Sequence, residues 1–379
     1  MTHFDIVIVG AGIAGASLAW RLAGQRSVLL LERESQPGYH STGRSAALYL
    51  ESYGPAGVRA LTRASGHFYR QPPAGFAEHP LISPRGALYV AVQGQQDLLK
   101  STRDTLAPTC PGLETLDAAA TLSLVPCLRP ELVIGSVYDP AAEDMDVHAI
   151  HQGFLRGLLA HRSQGCELRS NLALESARRH GQVWHLDLSD GSTVKAGTVV
   201  NAAGAWADEL GALFGARPIG LVPHRRSAFT FSLPEGMHAA SWPAVIGVDE
   251  SYYFKPDAGQ MLGSPANADP TVAHDVMPEE LDIAQGIYQI ESVSSLRIRR
   301  PTRTWAGLRS FVPDGEMVIG FDRDVPGLFW LAAQGGYGIQ SAPGAALLAE
   351  ALLRELPLPE ALRVQGLDPA AMSPCRLST

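Results

Sequence analysis

The chain has 379 residues, 46% hydrophobic and 18% charged, which describes a globular protein with room for two domains and excludes a disordered one. A formal net charge of -8 without a basic face argues against nucleic-acid binding. No apolar run approaches a membrane span, and Cys110, Cys127, Cys166 and Cys375 are scattered without metal-ligand spacing, so free thiols and no metal centre are expected.

Residues 5–9 are a short apolar run that predicts a strand. Gly10-Ala11-Gly12-Ile13-Ala14-Gly15 follows and opens a helix-like stretch to Leu22, and a second apolar run over 27–31 ends on Glu32. This order of strand, glycine turn, helix, strand and acid is that of a dinucleotide-binding unit. Gly10 makes the tight turn, Gly12 leaves phosphates room to approach the backbone, and Gly15 lets helix and strand pack closely. The helix offers its positive end to a pyrophosphate, and Glu32 is placed to accept the hydroxyls of an adenosine ribose. Over 39–47, Thr42, Gly43, Ser45, Ala46 and Ala47 surround Arg44, a composition suited to a loop that wraps a diphosphate and the edge of a flavin.

Further along, 86–92 and 133–137 predict strands, and 95–106 and 148–159 predict helices. A strand over 183–188 turns at Asp190-Gly191, and a buried strand over 198–200 leads to Ala203, Gly204 and Trp206. Strands are predicted at 225–232, 251–255 and 295–300, with a helix over 278–290. No parallel crossover is evident there, so that sheet is expected to be largely antiparallel. Near the C-terminus a strand over 328–333 runs into Gly335-Gly336-Tyr337-Gly338, followed by a helix over 342–356. N–H groups at such a helix start suit the negative charge of a reduced flavin ring. The fold class is therefore α/β. A Rossmann-like FAD-binding domain (1–80, 146–218 and 312–379) is interleaved with an antiparallel-sheet α+β substrate domain (81–145 and 219–311), and the active site lies between them.

Long segments carry a resemblance beyond these patterns: VIVGAGIAGAS, LERESQPGYHSTGRSAA, PPAGFAEHP, VNAAGAWAD, RRSAF, LGSPANADP, TWAGLRSFV and AAQGGYGIQ. The chain resembles the D-amino-acid oxidase and glycine oxidase superfamily, and within it the bacterial D-arginine dehydrogenases, along nearly its whole length. The resemblance implies a noncovalently bound FAD. It would be held by Gly10, Gly12, Ile13, Ala14, Gly15, Glu32, Arg33, Arg44 and its loop neighbours, Ala203, Gly204, Trp206, Arg309, Gly335, Gly336, Tyr337, Gly338, Ile339 and Gln340. It also implies oxidative deamination of a D-amino acid by hydride transfer from Cα to flavin N5, then hydrolysis of the imine to a 2-oxo acid and ammonia. Arg226 and Arg309 match the positions that grip the substrate carboxylate, where a planar guanidinium provides two-point recognition. Tyr53 and Tyr253 match hydroxyl donors. Tyrosine, water or a backbone carbonyl near Gly336 is left to take the amine proton.

The arginine-specific relatives hold the cationic end of the substrate with a glutamate. Here that position is Ala87, and two polar pocket positions become Leu48 and Leu50. A buried unpaired guanidinium is expensive, so hydrophobic D-amino acids are expected over D-Arg and D-Lys, and Ala87→Glu is expected to shift the ratio toward D-Arg. The neighbouring Glu51 is the one acid that would rescue cation binding by rotating in. A sarcosine or glycine oxidase shares the fold, the FAD and the carboxylate arginine; a noncatalytic flavoprotein or electron-carrier partner is the alternative from another class. The N-terminal residues show no basic leader, so a cytoplasmic protein is expected, and the resemblance implies a monomer; the electron acceptor is unassigned, with a quinone and contact with the inner membrane left open.

Overall fold

The computed structural model describes residues 2–377; residues 1, 378 and 379 of the expected cofactor-binding pieces lie outside them. An eight-stranded sheet draws its strands from three separated stretches of chain. Its parallel centre sets Leu328–Ala332, Thr193–Asn201, Thr2–Val9, Val28–Leu31 and Glu167–Arg169 side by side. The apolar runs that predicted four of these strands are largely buried because helices cover the sheet, as parallel sheets require, whereas Glu167–Arg169 was not predicted and is only partly buried. The strands Leu174–His180 and Val183–Leu188 extend the sheet as an antiparallel hairpin against the first half of Thr193–Asn201.

A nine-stranded sheet is built from Ala87–Val92, Glu114–Asp117, Val133–Asp139 and the strands between Val222 and Phe311. It is antiparallel except where Ala244–Gly247 runs parallel to Ala87–Val92, a long-range pairing not expected from the sequence. Its two faces are distinct because side chains alternate. Leu88, Val90, Phe229, Val245 and Phe254 turn to a core shared with the helix Glu280–Val293. The opposite face carries Ala87, Tyr89, Arg226, Ile246 and Tyr253. A three-stranded sheet, Leu48–Tyr49, Glu143–Met145 and Ile82–Pro84, joins stretches from both sides of the expected domain boundaries.

Two predicted elements are corrected. Residues 295–300 form no strand. Leu296 and Ile298 are buried between exposed neighbours, so the alternation is genuine, but no strand lies alongside to complete a ladder. The last long helix begins at Gly338, four residues before the predicted start at 342, and runs to Leu353 with Pro343 inside it. Pro343 resembles a first-turn proline in sequence, yet it lies within the second turn, where it cannot donate to the carbonyl of Ile339. The Tyr69 hydroxyl donates to that carbonyl instead.

Candidate active site

The parallel strands all end at one edge, and Gly10, Glu32, Ala203, Gly204 and Gly335 follow them there, as ligand contacts do in open α/β sheets. Together with Gly12, Ile13, Ala14, Arg33 and Trp206 they line a cleft of about 380 Å³. Gly10 has φ +105°, and a Cβ on it would lie 2.4 Å from the Ala202 carbonyl oxygen. A Cβ on Gly15 would lie 1.9 Å from the Gly10 oxygen, so Gly15 packs the helix on the strand and does not face the cleft. The Glu32 carboxylate accepts from the backbone N–H of Ala11 and of Glu34, both at 3.0 Å, which fixes it at the cleft wall with lone pairs to spare. The Arg33 guanidinium lies 3.9 Å over the Trp206 ring beside it. A glycine-lined helix start, a fixed carboxylate and a flat aromatic-cation wall fit the pyrophosphate, ribose and base of an adenine dinucleotide.

The loop over 39–47 lies across this cleft. Thr42 Oγ1 accepts from Ile13 N at 3.0 Å, and Ser41 donates to the Leu308 carbonyl at 2.7 Å, so the loop ties the start of the helix Ile13–Leu22 to the nine-stranded sheet. Ser45 and Ala46 line a second cavity of about 100 Å³, with Gly336, Gly338, Ile339, Arg226, Tyr253 and Arg309. Five residues expected at the cofactor make other contacts in the structure. Arg44, which also lines this second cavity, pairs with Asp275 and donates to the carbonyls of Val276 and Ala306 at 2.9 and 3.2 Å, so it clasps the segment after Asn267. Gln340 accepts from Leu50 N and donates to Thr62 Oγ1, each at 3.1 Å, so its amide is consumed in the core. The Tyr337 ring packs on Tyr53 and Phe311, and burial pushes its hydroxyl up to about 12. Gly43 has no room for a side chain because a Cβ would lie 2.7 Å from the Gly38 oxygen. Ala47 packs against the main core instead of lining either cavity.

Arg226 and Arg309 come from adjacent antiparallel strands, Val222–Phe231 and Arg303–Phe311. Arg226 pairs with Gly307 and His224 with Arg309, so the two arginines are diagonal neighbours on one face, with no side chain opposite Arg226. Neither forms a salt bridge among the described residues; the three carboxylates nearby, Asp269, Glu279 and Asp282, pair with Arg225 on the other face. Arg226 Nε donates to the Asn267 carbonyl, and Arg309 Nη1 donates to the Tyr53 hydroxyl at 3.3 Å. Burial and the neighbouring Arg309 charge lower the Arg226 pKa, yet a guanidinium stays charged at any ordinary pH. Burial also disfavours charge on Arg309, but Tyr53, Tyr253 and Tyr337 outweigh it and raise its pKa. Two uncompensated cations on a partly dry wall are a preformed site for an anion. Gly336 completes it: a Cβ there would sit 3.2 Å from the Arg309 guanidinium carbon and 3.3 Å from the Tyr53 oxygen.

Leu48, Leu50 and Ala87 gather beside this wall in one apolar cluster with Tyr53, Tyr89 and Ile246. Glu51 is turned away. Its carboxylate accepts from the Tyr49 hydroxyl at 3.0 Å and lies 3.7 Å from Arg70, so it is already engaged outside the cluster.

Two contributors were not legible as site residues. Asp275 carries no motif. His151 was read only as lacking a zinc pattern, yet its Nε2–H donates to the Ala11 carbonyl at 2.9 Å and holds the glycine turn. Burial lowers its pKa, so the folded chain keeps this ring neutral where the unfolded chain, with a value near 6.5, takes up a proton. The stability it contributes is therefore present above about pH 6.5 and is lost as pH falls through and below that value. Melting temperature and FAD retention are expected to fall together between about pH 6.5 and 5, and a His151→Gln variant is expected to flatten that slope. An unchanged slope in the variant means that other groups govern the acid limb.

A family model described as FAD dependent oxidoreductase matches residues 5–351. Over 363 residues the chain is 26% identical to 4-methylaminobutanoate oxidase (formaldehyde-forming) of Paenarthrobacter nicotinovorans. Over 363 residues it is 24% identical to mitochondrial dimethylglycine dehydrogenase of Rattus norvegicus. Each match covers 90% of this chain but only 43% and 42% of those proteins, so the chain spans less than half their length. The structure is similar to glycine oxidase from Geobacillus kaustophilus, with a TM-score of 0.83, 20% identity and 98% of both chains covered. No helix among the described residues is long and apolar enough to cross a membrane, and no group of residues there has the makings of a metal site.

Proposed function

We propose, from the premise that this chain belongs to the family of FAD-dependent oxidoreductases, that it oxidises the Cα–N bond of amino acids with small or apolar side chains, D-amino acids foremost. The products would be the 2-oxo acid and ammonia. The observation that carries this reading is the Arg226–Arg309 pair, which opens on the cavity between the glycine turns and has no carboxylate of its own. When bound, FAD supplies the two-electron oxidant. The arginines would grip the carboxylate, with the Tyr53 hydroxyl, already accepting from Arg309, free to donate its proton to the same group. Clamping one end fixes how Cα is presented, which converts an encounter into a near-attack geometry. Leu48, Leu50, Ala87 and Ile246 would take the side chain and keep water out until the imine is released for hydrolysis. We also propose that the stretches 1–80, 146–218 and 312–379 serve the cofactor and the intervening ones the substrate.

A second reading, oxidation of glycine or N-methylated amino acids, is favoured by the tight packing of the apolar cluster, in which Ala87 is fully buried. The names of the dimethylglycine and methylaminobutanoate relatives point the same way. A substrate panel with an artificial electron acceptor separates the two. Turnover of D-Leu, D-Met or D-Phe above that of D-Arg, glycine and N-methylglycine is the expected outcome. N-methylglycine as the best substrate would install the second reading. Failure of every amine to bleach the flavin under nitrogen would remove both.

A further inference from the structure

The apolar cluster beside the arginines adjoins a group of charges. Ala87 pairs with Ala244 in the parallel strands. The next register, Val245 with Phe254 and Ile246 with Tyr253, continues so as to set Ala244 opposite Lys255. Ala87, Ala244 and Lys255 thus form one row across the face that also carries Tyr253 and Arg226, with Cα atoms of the outer two about 10 Å apart. Lys255 is only 5% exposed, and Nζ lies 2.6 Å from Asp144 Oδ1. Asp144 stands directly opposite Leu48 in the three-stranded sheet, so it shares a face with a wall residue of the compartment. Its other oxygen accepts from Arg85 Nε at 2.6 Å, and Arg85 also donates to the carbonyls of Ala240 and Trp242. On its other side this trio lines an open cleft of about 720 Å³. Asp257, 4.0 Å from Lys255, is 44% exposed on its side chain and is screened by water. Two cations share one partly buried carboxylate, so this end of the cluster carries excess positive charge.

We propose that Lys255, held by Asp144, is the second specificity determinant of this site: its ammonium end-stops the side-chain compartment, accepting neutral side chains and turning away cationic ones. The inference rests on the functional reading above and adds repulsion to the missing attraction at Ala87, the two ways by which a site discriminates. It also changes what Ala87→Glu should do. A carboxylate introduced at 87 would meet the Lys255 ammonium across the row, and its charge would be used there instead of on the substrate.

The test uses the FAD-loaded protein and inert carboxylates titrated by perturbation of the flavin spectrum: isovalerate with a neutral tail, 4-guanidinobutyrate with a cationic one, and glutarate with an anionic one. Lys255→Met leaves Asp144 its Arg85 partner and is expected to improve 4-guanidinobutyrate relative to isovalerate by about tenfold. Ala87→Glu alone is expected to give much less than Ala87→Glu with Lys255→Met, the pair exceeding the sum of the singles. Asp144→Asn keeps the ammonium and removes its partner, so glutarate should tighten by about tenfold; this variant decides the matter if Lys255→Met fails to accumulate. Unchanged tail preference in these variants, with isovalerate still binding, overturns the assignment and leaves the carboxylate clamp standing. Failure of isovalerate to bind the parent protein overturns the clamp itself.

Discussion

Arg309→Met is expected to lower kcat/KM by about a thousandfold while the protein still binds FAD. The guanidinium has no carboxylate partner, so its removal strands no buried anion, and the fold should tolerate an unbranched apolar side chain in its place. What is lost is a charge-assisted contact in a partly dry cavity, worth about 3–5 kcal/mol, or a factor of about 10² to 10³ or more. The loss should fall on both KM and kcat, because the clamp also sets the angle at which the reacting bond is presented. Arg309→Lys is expected to recover little, since an ammonium does not reproduce the planar fork. Arg226→Met should be milder in binding but should loosen Asn267, whose carbonyl accepts from Arg226 and whose side chain accepts from Ser227 N. Steady-state kinetics and the flavin spectrum together read the outcome. Full activity in Arg309→Met would remove the clamp from this site.

How much of this was visible in the sequence follows from the range of each interaction. The turn from Gly10 to Gly15 was legible because strand, turn and helix are contiguous, and the close approach that requires Gly15 comes from Gly10, five residues away. Glu32 was legible because the second strand lies beside the first, which sets its carboxylate against the turn. Arg309 was named only through its resemblance to a known family. Its own strand, Arg303–Phe311, went unread, although it forms the longest ladder of the second sheet. The stretch at 295–300 shows the opposite error: side-chain alternation reports two environments, whereas a strand also needs a neighbour to bond with. The pairing of Arg44 with Asp275 was hidden because its partner stands 231 residues away. The Lys255–Asp144 pair, 111 residues apart, was equally hidden, since only the register of two sheets brings it to the end of the compartment. Local geometry was readable; the pairing of distant charges was not.

Gly12 and Gly15 stand three residues apart in one motif, and alanine is expected to damage the protein in different ways at the two. At Gly15 the added Cβ would lie 1.9 Å from the Gly10 oxygen, a backbone atom that cannot turn aside. The helix must then lift from the strand, at a cost of about 3 kcal/mol or more in a close-packed interior, so the apoprotein itself should melt about 5–10 °C lower. At Gly12 the backbone has φ -72° and ψ -173°, values open to any residue, and the nearest obstacle is the Thr42 hydroxyl at 3.3 Å. The apoprotein of Gly12→Ala should therefore melt within about 2 °C of the parent. Its methyl group, however, occupies the space over the helix start through which a pyrophosphate must approach the N–H groups, so FAD binding should weaken by about a hundredfold. Melting curves of the apoproteins and FAD titrations distinguish the two effects. Equal losses of FAD affinity and of apoprotein stability in both variants would show that the motif acts as one structural turn, with no separate role for Gly12 in admitting the cofactor.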